Sequence, residues 1–193
     1  MKKSNASLAR KTVAGQRVRI IGGQWRSRLV RFPAVPGLRP TANRVRETLF
    51  NWLGQDLGGK TCLDLFAGSG ALGFEALSRN AAGVIMVECV PAVRAALATT
   101  AATLGAGPRL EIVGGDALQF LRKVERRFDL VFLDPPFNQG WLDRLWPLLP
   151  AVLAPAALVY IECEFALAPP ASWHVLDSGK AGVIHFHLVN HHE

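Results

Sequence analysis

The 193-residue chain is half hydrophobic with 19% charged residues, which excludes a largely disordered protein and allows one sizeable core with a small extension. No apolar run approaches the roughly 20 residues of a membrane span. Lys2 and Lys3 precede no apolar segment of the secretory kind, so a cytoplasmic protein without membrane contact is expected. The net charge of +7 is unevenly placed. Residues 1–46 hold twelve Lys and Arg and no acid, whereas the other 147 hold ten against fifteen acids, a balance of −5. A basic arm ahead of a mildly acidic body points to a polyanionic partner.

In chain order, residues 1–15 are polar and small, and read as a flexible basic tail. Residues 16–32 read as a β-hairpin with Gly22-Gly23 as a two-residue turn. That register sets Ile20 opposite Trp25, Arg19 opposite Arg26 and Arg17 opposite Arg28. Four arginines then share one face, at a cost in stability that suggests an anion on that face. Pro33, Pro36 and Pro40 make a stiff linker. Thr41 is placed to cap a helix running to about Leu53, with Val45, Leu49, Trp52 and Leu53 on one stripe. Arg44, Arg46 and Glu47 fall off that stripe, and Arg44 near the helix start suits a ligand phosphate.

From Lys60 the pattern alternates. Strands are predicted at 61–66, 83–88, 109–113, 128–133, 157–163, 172–177 and 183–189, with helices at 71–79, 91–104, 117–126 and 140–153. Strand-helix alternation implies a mostly parallel sheet covered on both faces. Ser178–Gly182 is too short for a parallel crossover, so the last strand runs antiparallel to its predecessor. Cys62, Cys89 and Cys163 lie in apolar strand-like runs and suit reduced, buried thiols. His185 and His187 alternate along the last strand and His191 and His192 close the chain, so no metal-ligand set is expected.

Ligands of such sheets bind beyond the carboxyl ends of the strands. The first strand breaks into Gly68-Ser69-Gly70 ahead of a helix. Gly68, Gly70 and Gly73 satisfy the dinucleotide pattern G-x-G-x-x-G, which keeps a nicotinamide or flavin oxidoreductase open as a rival. Asp64, four residues before the first glycine, would oppose a pyrophosphate. It suits a cationic ligand without phosphate, such as S-adenosylmethionine. Glu88 ends the second strand, where a carboxylate can take both ribose hydroxyls. Asp116, after the third, can accept from an adenine amine or cap the next helix. The fourth strand ends in Asp134-Pro135-Pro136-Phe137. Two prolines remove two N–H donors and leave acceptors, the Asp134 carboxylate and the Pro135 carbonyl. Two acceptors at one point suit an exocyclic amine, and Phe137 offers a face on which a base stacks.

Asp134-Pro135-Pro136-Phe137 resembles the (Asn/Asp)-Pro-Pro-(Tyr/Phe) motif of amino-directed, S-adenosylmethionine-dependent methyltransferases. With Arg39-Pro40-Thr41, Arg44 to Leu53, Ile20 to Arg26 and Asp64 to Gly70, it resembles the bacterial RsmD-type methyltransferases, which act on a guanine of small-subunit ribosomal RNA. The likeness runs from about Arg17 to Asn190.

The resemblance implies a Rossmann-like class I α/β fold with a seven-stranded, mostly parallel sheet, an antiparallel last strand and a small N-terminal hairpin. With the tail read from composition (1–15), which carries no motif of the likeness, the chain divides into that tail, an RNA-binding hairpin and linker (16–40) and a methyltransferase domain (41–193). The implied cofactor is S-adenosylmethionine, held by Asp64, Phe66, Ala67, Gly68, Ser69, Gly70, Glu88, Cys89, Asp116 and Ala117. The catalytic corner is Asp134, Pro135, Pro136 and Phe137. RNA contacts fall to Arg17, Arg19, Trp25, Arg26, Arg28, Arg39, Thr41, Arg44 and Arg46. The implied partner is 16S rRNA, within the small ribosomal subunit or its assembly intermediate, and the enzyme is expected to be a monomer. Asp at the motif's first position accepts only, which fits a guanine ring N–H beside its 2-amino group. An enzyme acting on adenine or cytosine of DNA or other RNA is the alternative. A binding-only ribosome-assembly factor is a further one.

Overall fold

The computed structural model describes residues 15–192; the tail expected at 1–15 lies almost wholly outside them. Two short strands, β1 (Gln16–Arg19) and β2 (Leu29–Phe32), pair antiparallel. Helix α1 (Asn43–Trp52) follows the proline linker. The main sheet then alternates with helices: β3 (Thr61–Asp64), α2 (Ala71–Ser78), β4 (Gly83–Glu88), α3 (Pro91–Leu104), β5 (Leu110–Gly114), α4 (Ala117–Leu121), β6 (Phe128–Leu133) and α5 (Trp141–Leu145). It closes with β7 (Leu153–Cys163), β8 (Trp173–Ala181) and β9 (Ile184–His191).

The seven strands lie in the order β5-β4-β3-β6-β7-β9-β8. The first four neighbouring pairs are parallel, and β9 runs antiparallel to both β7 and β8. The mostly parallel sheet with an antiparallel last strand is as the sequence implied. Period-2 alternation splits the buried residues between two faces. Cys62, Met86, Phe132, Tyr160 and Leu188 pack under α1, α2, α3 and the hairpin. Leu63, Ile85, Val131, Val159 and Val189 pack under α4 and α5. The strand after Lys60 is assigned only to Asp64, but its ladder continues, Leu65 N–H donating to Phe132 O and Ala67 N–H to Val87 O.

Several elements differ from expectation: β7 begins at Leu153 rather than 157, and β8 runs to Ala181 rather than 177, through most of the connection expected at Ser178–Gly182. Helix α4 stops at Leu121 rather than 126; beyond it Arg122, Lys123, Glu125 and Arg126 offer no apolar stripe to bury. Helix α5 stops at Leu145 rather than 153, because Pro147 and Pro150 lack the amides a continuing helix needs; a 3-10 turn covers Leu149–Val152.

The hairpin register is corrected. Arg17 pairs with Arg31, Val18 with Val30 and Arg19 with Leu29, so Gly22-Gly23 is not the turn. The nine residues between the strands dock on α2 instead. Ile21 and Gly22 amides donate to the Glu75 carboxylate at 2.9 and 2.7 Å, Gln24 N–H donates to Ser78 O, and Trp25 N–H donates to Ser78 Oγ. A Cβ at Gly23, φ +71°, would stand 1.8 Å from Ser78 O, so close backbone approach explains the glycine.

Candidate active site

The carboxyl ends of β3, β4, β6 and β7 meet at one rim, and the glycine turn sits there. Gly68 (φ +48°) and Gly70 (φ +77°) both adopt left-handed backbone, and Gly70 caps α2. Side chains at either would also collide: a Cβ at Gly70 would lie 2.6 Å from Leu97 and one at Gly68 2.9 Å from Leu38. The latter contact shows that the proline linker lies over the turn.

Asp64 is turned into the protein, 2% exposed, and accepts from Gly73 N–H at 3.0 Å. Burial pushes its carboxyl up to about 7, against the Gly73 hydrogen bond, and the Glu88 charge adds to the rise. Glu88 accepts from Gly68 N–H at 2.9 Å and from Val90 N–H at 2.8 Å, tying the end of β4 to the glycine turn. Each carboxylate oxygen has a second lone pair, so these bonds leave acceptor capacity for a diol. Asp116 caps α4, its Oδ1 accepting from Gln119 N–H at 3.0 Å, while Oδ2 has no partner among the described residues. Phe66 is half-buried and meets Trp141 edge-on at 5.0 Å, with Arg144 over the other ring at 4.5 Å. Ala67, Ser69 and Ala117 are buried about the turn and the start of α4. Cys89 is exposed, not buried as its apolar surroundings suggested, because it follows the strand end; Cys62 and Cys163 are buried.

Pro135 is buried, Asp134 and Phe137 are half-buried, and Pro136 is exposed. Asn138 N–H donates to Glu164 at 2.7 Å, fastening this loop to the one after β7. The register brings Asp134 beside another acid. Phe132 pairs with Tyr160 and Leu133 with Ile161, so Asp134 stands one residue past the ladder next to Glu162. Glu162 is 2% exposed and accepts from Tyr160 O–H at 3.0 Å. Thr41, expected to cap α1, does not: Ala42 occupies that position with no side-chain cap bond. The Thr41 side chain is buried instead, as a neighbour of both Asp134 and Glu162 that favours the ionised form of each. Burial and the neighbouring acids hold the Asp134 carboxyl well above its ordinary range, and burial raises Glu162 as well. Sequence reading missed Glu162, Tyr160 and Trp141. The available signal was an acid inside the apolar run Leu158–Cys163.

Five carboxyl groups therefore gather at this rim, Asp64, Glu88, Asp116, Asp134 and Glu162, and none takes part in the salt bridges among the described residues. A cavity of about 360 Å³ opens at the opposite, amino-terminal ends of the strands, beside Thr61, Gly83 and Arg127, and cannot share this chemistry.

Of the arginines expected to face RNA, Arg17, Arg19, Arg26, Arg28, Arg39 and Arg44 are exposed, joined by Arg31. Three residues are corrected: Thr41, 6% exposed, is buried ahead of α1 and is not open to RNA, and two more lie at the hairpin junction. Arg46 is fully buried, donating to Glu75 at 3.0 Å, to Asn43 Oδ1 and to the carbonyls of Thr41 and Arg19. Trp25 is 7% exposed and packs into the core. Neither can reach a ligand, because both complete the junction between hairpin and sheet.

This strand order, glycine turn and acid-lined rim define a protein of the S-adenosylmethionine-dependent methyltransferase fold, and the cofactor expected from the sequence is the cofactor of that class. A putative S-adenosylmethionine-dependent methyltransferase from Streptococcus mutans shares the fold alone, at TM-score 0.65 and 17% identity over 82% of this chain and 51% of that one. The chain belongs to the family described as Conserved hypothetical protein 95, whose model matches residues 18–190. It is 46% identical to the Ribosomal RNA small subunit methyltransferase D of Escherichia coli K12, over 97% of this chain and 94% of that protein. A solved putative methyltransferase, yhhF of Escherichia coli, superposes at TM-score 0.82 with 46% identity, over 92% and 99% of the two chains.

Proposed function

We propose that the protein transfers a methyl group from S-adenosylmethionine to the 2-amino group of a guanine in small-subunit ribosomal RNA. The observation that carries this reading is the Asp134–Phe137 corner opening onto the same rim as the glycine turn, in a chain nearly half identical to a relative named for that RNA. The rim fits the cofactor: an acid-lined crevice with no salt-bridging cation among the described residues favours a ligand that is cationic and lacks phosphate, and disfavours a pyrophosphate. When bound, S-adenosylmethionine supplies an electrophilic methyl group. Glu88 is placed for the ribose hydroxyls and Asp116 Oδ2 for the adenine amine, with Phe66 and Trp141 as an apolar wall.

Asp134 and the Pro135 carbonyl accept from the guanine ring N–H and amino group, holding the amine nitrogen so that its lone pair points outward to the donor. Phe137 stacks on the base, which must leave its own stack to arrive. Orientation supplies most of the acceleration. Arg17, Arg19, Arg26, Arg28, Arg31, Arg39 and Arg44 contact phosphates, which gives salt-dependent affinity with little sequence information. Selectivity then comes from RNA shape.

The test is radiolabelled methyl transfer to small subunits from a strain lacking the gene, followed by nucleoside identification. N2-methylguanosine is expected. A methylated adenosine or cytidine, or no transfer, contradicts the reading.

A further inference from the structure

Asp134 and Glu162 extend from neighbouring parallel strands, one step past the Leu133–Ile161 pair, on the sheet face that α1 covers. The groups around them come from every element packed there. Asp64 approaches from β3, which pairs with Phe132. Tyr160 on β7 donates to Glu162, and buried Thr41 neighbours both carboxyls from the segment before α1. On the β9 side the register partner of Glu162 is Phe186, which is uncharged. No Lys, Arg or His acts on either group among the described residues. The cation nearest in the bonding network, Arg46, holds the Thr41 carbonyl at 3.2 Å but spends its charge on Glu75.

Two carboxylates side by side, one buried and one half-buried, with two hydroxyls nearby and no cation, cannot both ionise cheaply. We propose that Asp134 and Glu162 share one proton around neutral pH, and that Glu162 is the positioning residue that decides whether Asp134 meets the substrate as an acceptor. With the proton on Glu162, the more deeply buried partner, Asp134 presents lone pairs to the two guanine N–H groups. With it on Asp134, an O–H faces those N–H groups and the substrate is held badly. The pair titrates as a unit, so the apparent value belongs to both residues. Thr41 comes from the N-terminal segment, and Arg46, which holds its carbonyl, positions it beside the pair.

The role in turnover rests on the proposed methyl transfer, but the shared proton does not, and two readouts separate them. Carboxyl-carbon NMR titration of the whole protein, with Asp134→Asn and Glu162→Gln for assignment, reads the proton directly. One protonated carboxyl from this pair near neutral pH is expected; both ionised, each at an ordinary carboxylate value, overturns the proposal. Single-turnover methyl transfer against pH reads the consequence. Glu162→Gln leaves Asp134 beside a neutral amide that can neither take nor return the proton, so the two-step rise of rate with pH expected of a shared proton should collapse to a single acid limb, with cofactor affinity unchanged. Thr41→Val removes a neighbouring hydroxyl that favours ionised Asp134, so its limb should move to higher pH, and Thr41→Ser should restore it. Profiles of both variants that superpose on the wild type overturn the proposal. If the wild-type protein transfers no methyl to RNA, the proposed function fails and the titration alone decides the dyad.

Discussion

Glu75 and Glu162 are both buried glutamates, at 0% and 2% exposure, and their surroundings are opposite. Glu75 has Arg46 and Arg79 at 3.0 Å and two backbone amides of the hairpin loop. Glu162 has a tyrosine, a threonine and a second acid. The first charge is answered from all sides and does structural work, fastening the N-terminal segment to α2. The second is left unanswered at the rim where strand ends, glycine turn and proline corner converge. Buried charge without a partner is costly, so its persistence marks a place where chemistry, not stability, explains the residue.

That contrast can be broken most severely at Glu75. Glu75→Ala strands two buried arginines and two amides, and should lower unfolding free energy by about 3–5 kcal/mol in a urea titration. A loss near zero would mean the junction is not held by charge. Asp64 tests the unanswered side. Its folded-state value is about 7 and its unfolded value an ordinary carboxylate near 4. Because the folded state retains the proton longer, Asp64's contribution is fully favourable below about pH 4 and is lost as pH rises to about 7. Asp64→Asn, which keeps an acceptor for Gly73 N–H, should flatten that decline and raise stability at pH 8 by on the order of 3 kcal/mol. No gain at pH 8 would show that the carboxylate is stabilised by something unseen. The smallest effect belongs to the surface. Arg17→Gln with Arg31→Gln should weaken RNA binding and lower the salt slope by about two, leaving cofactor affinity unchanged. An unchanged slope would move RNA binding elsewhere. Deleting residues 1–32 is a poorer test than these substitutions, because it also removes Ile21, Gly22 and Trp25 from the junction with α2.

Much of this was legible in the residues. Period and length located all seven sheet strands and the helices that cross between them. The short final connection foretold the antiparallel β9. The glycine turn, Glu88, Asp116 and the Asp134–Phe137 corner do stand at one rim. What could not be read were choices made by tertiary contact. Gly22-Gly23 has the composition of a hairpin turn, but its glycines answer the approach of Ser78. Arg46 sits beside the apolar stripe of α1 and looks solvated until Glu75, 29 residues later, is known to face it. Thr41 has the chemistry of a cap, yet its side chain is buried beside two carboxyls that only the β6–β7 register brings together. Local propensity reports none of these, because each partner lies far along the chain.

The central claim is that the proline-stiffened corner orients an amine beside the donor without helping to hold the donor. Asp134→Ala tests it most directly, with methyl transfer to small subunits and S-adenosylmethionine binding measured on one preparation. Transfer should fall by about 10²–10³-fold or more while cofactor affinity stays at the wild-type value. Near-normal transfer, or a loss of transfer matched by an equal loss of cofactor binding, would contradict the account.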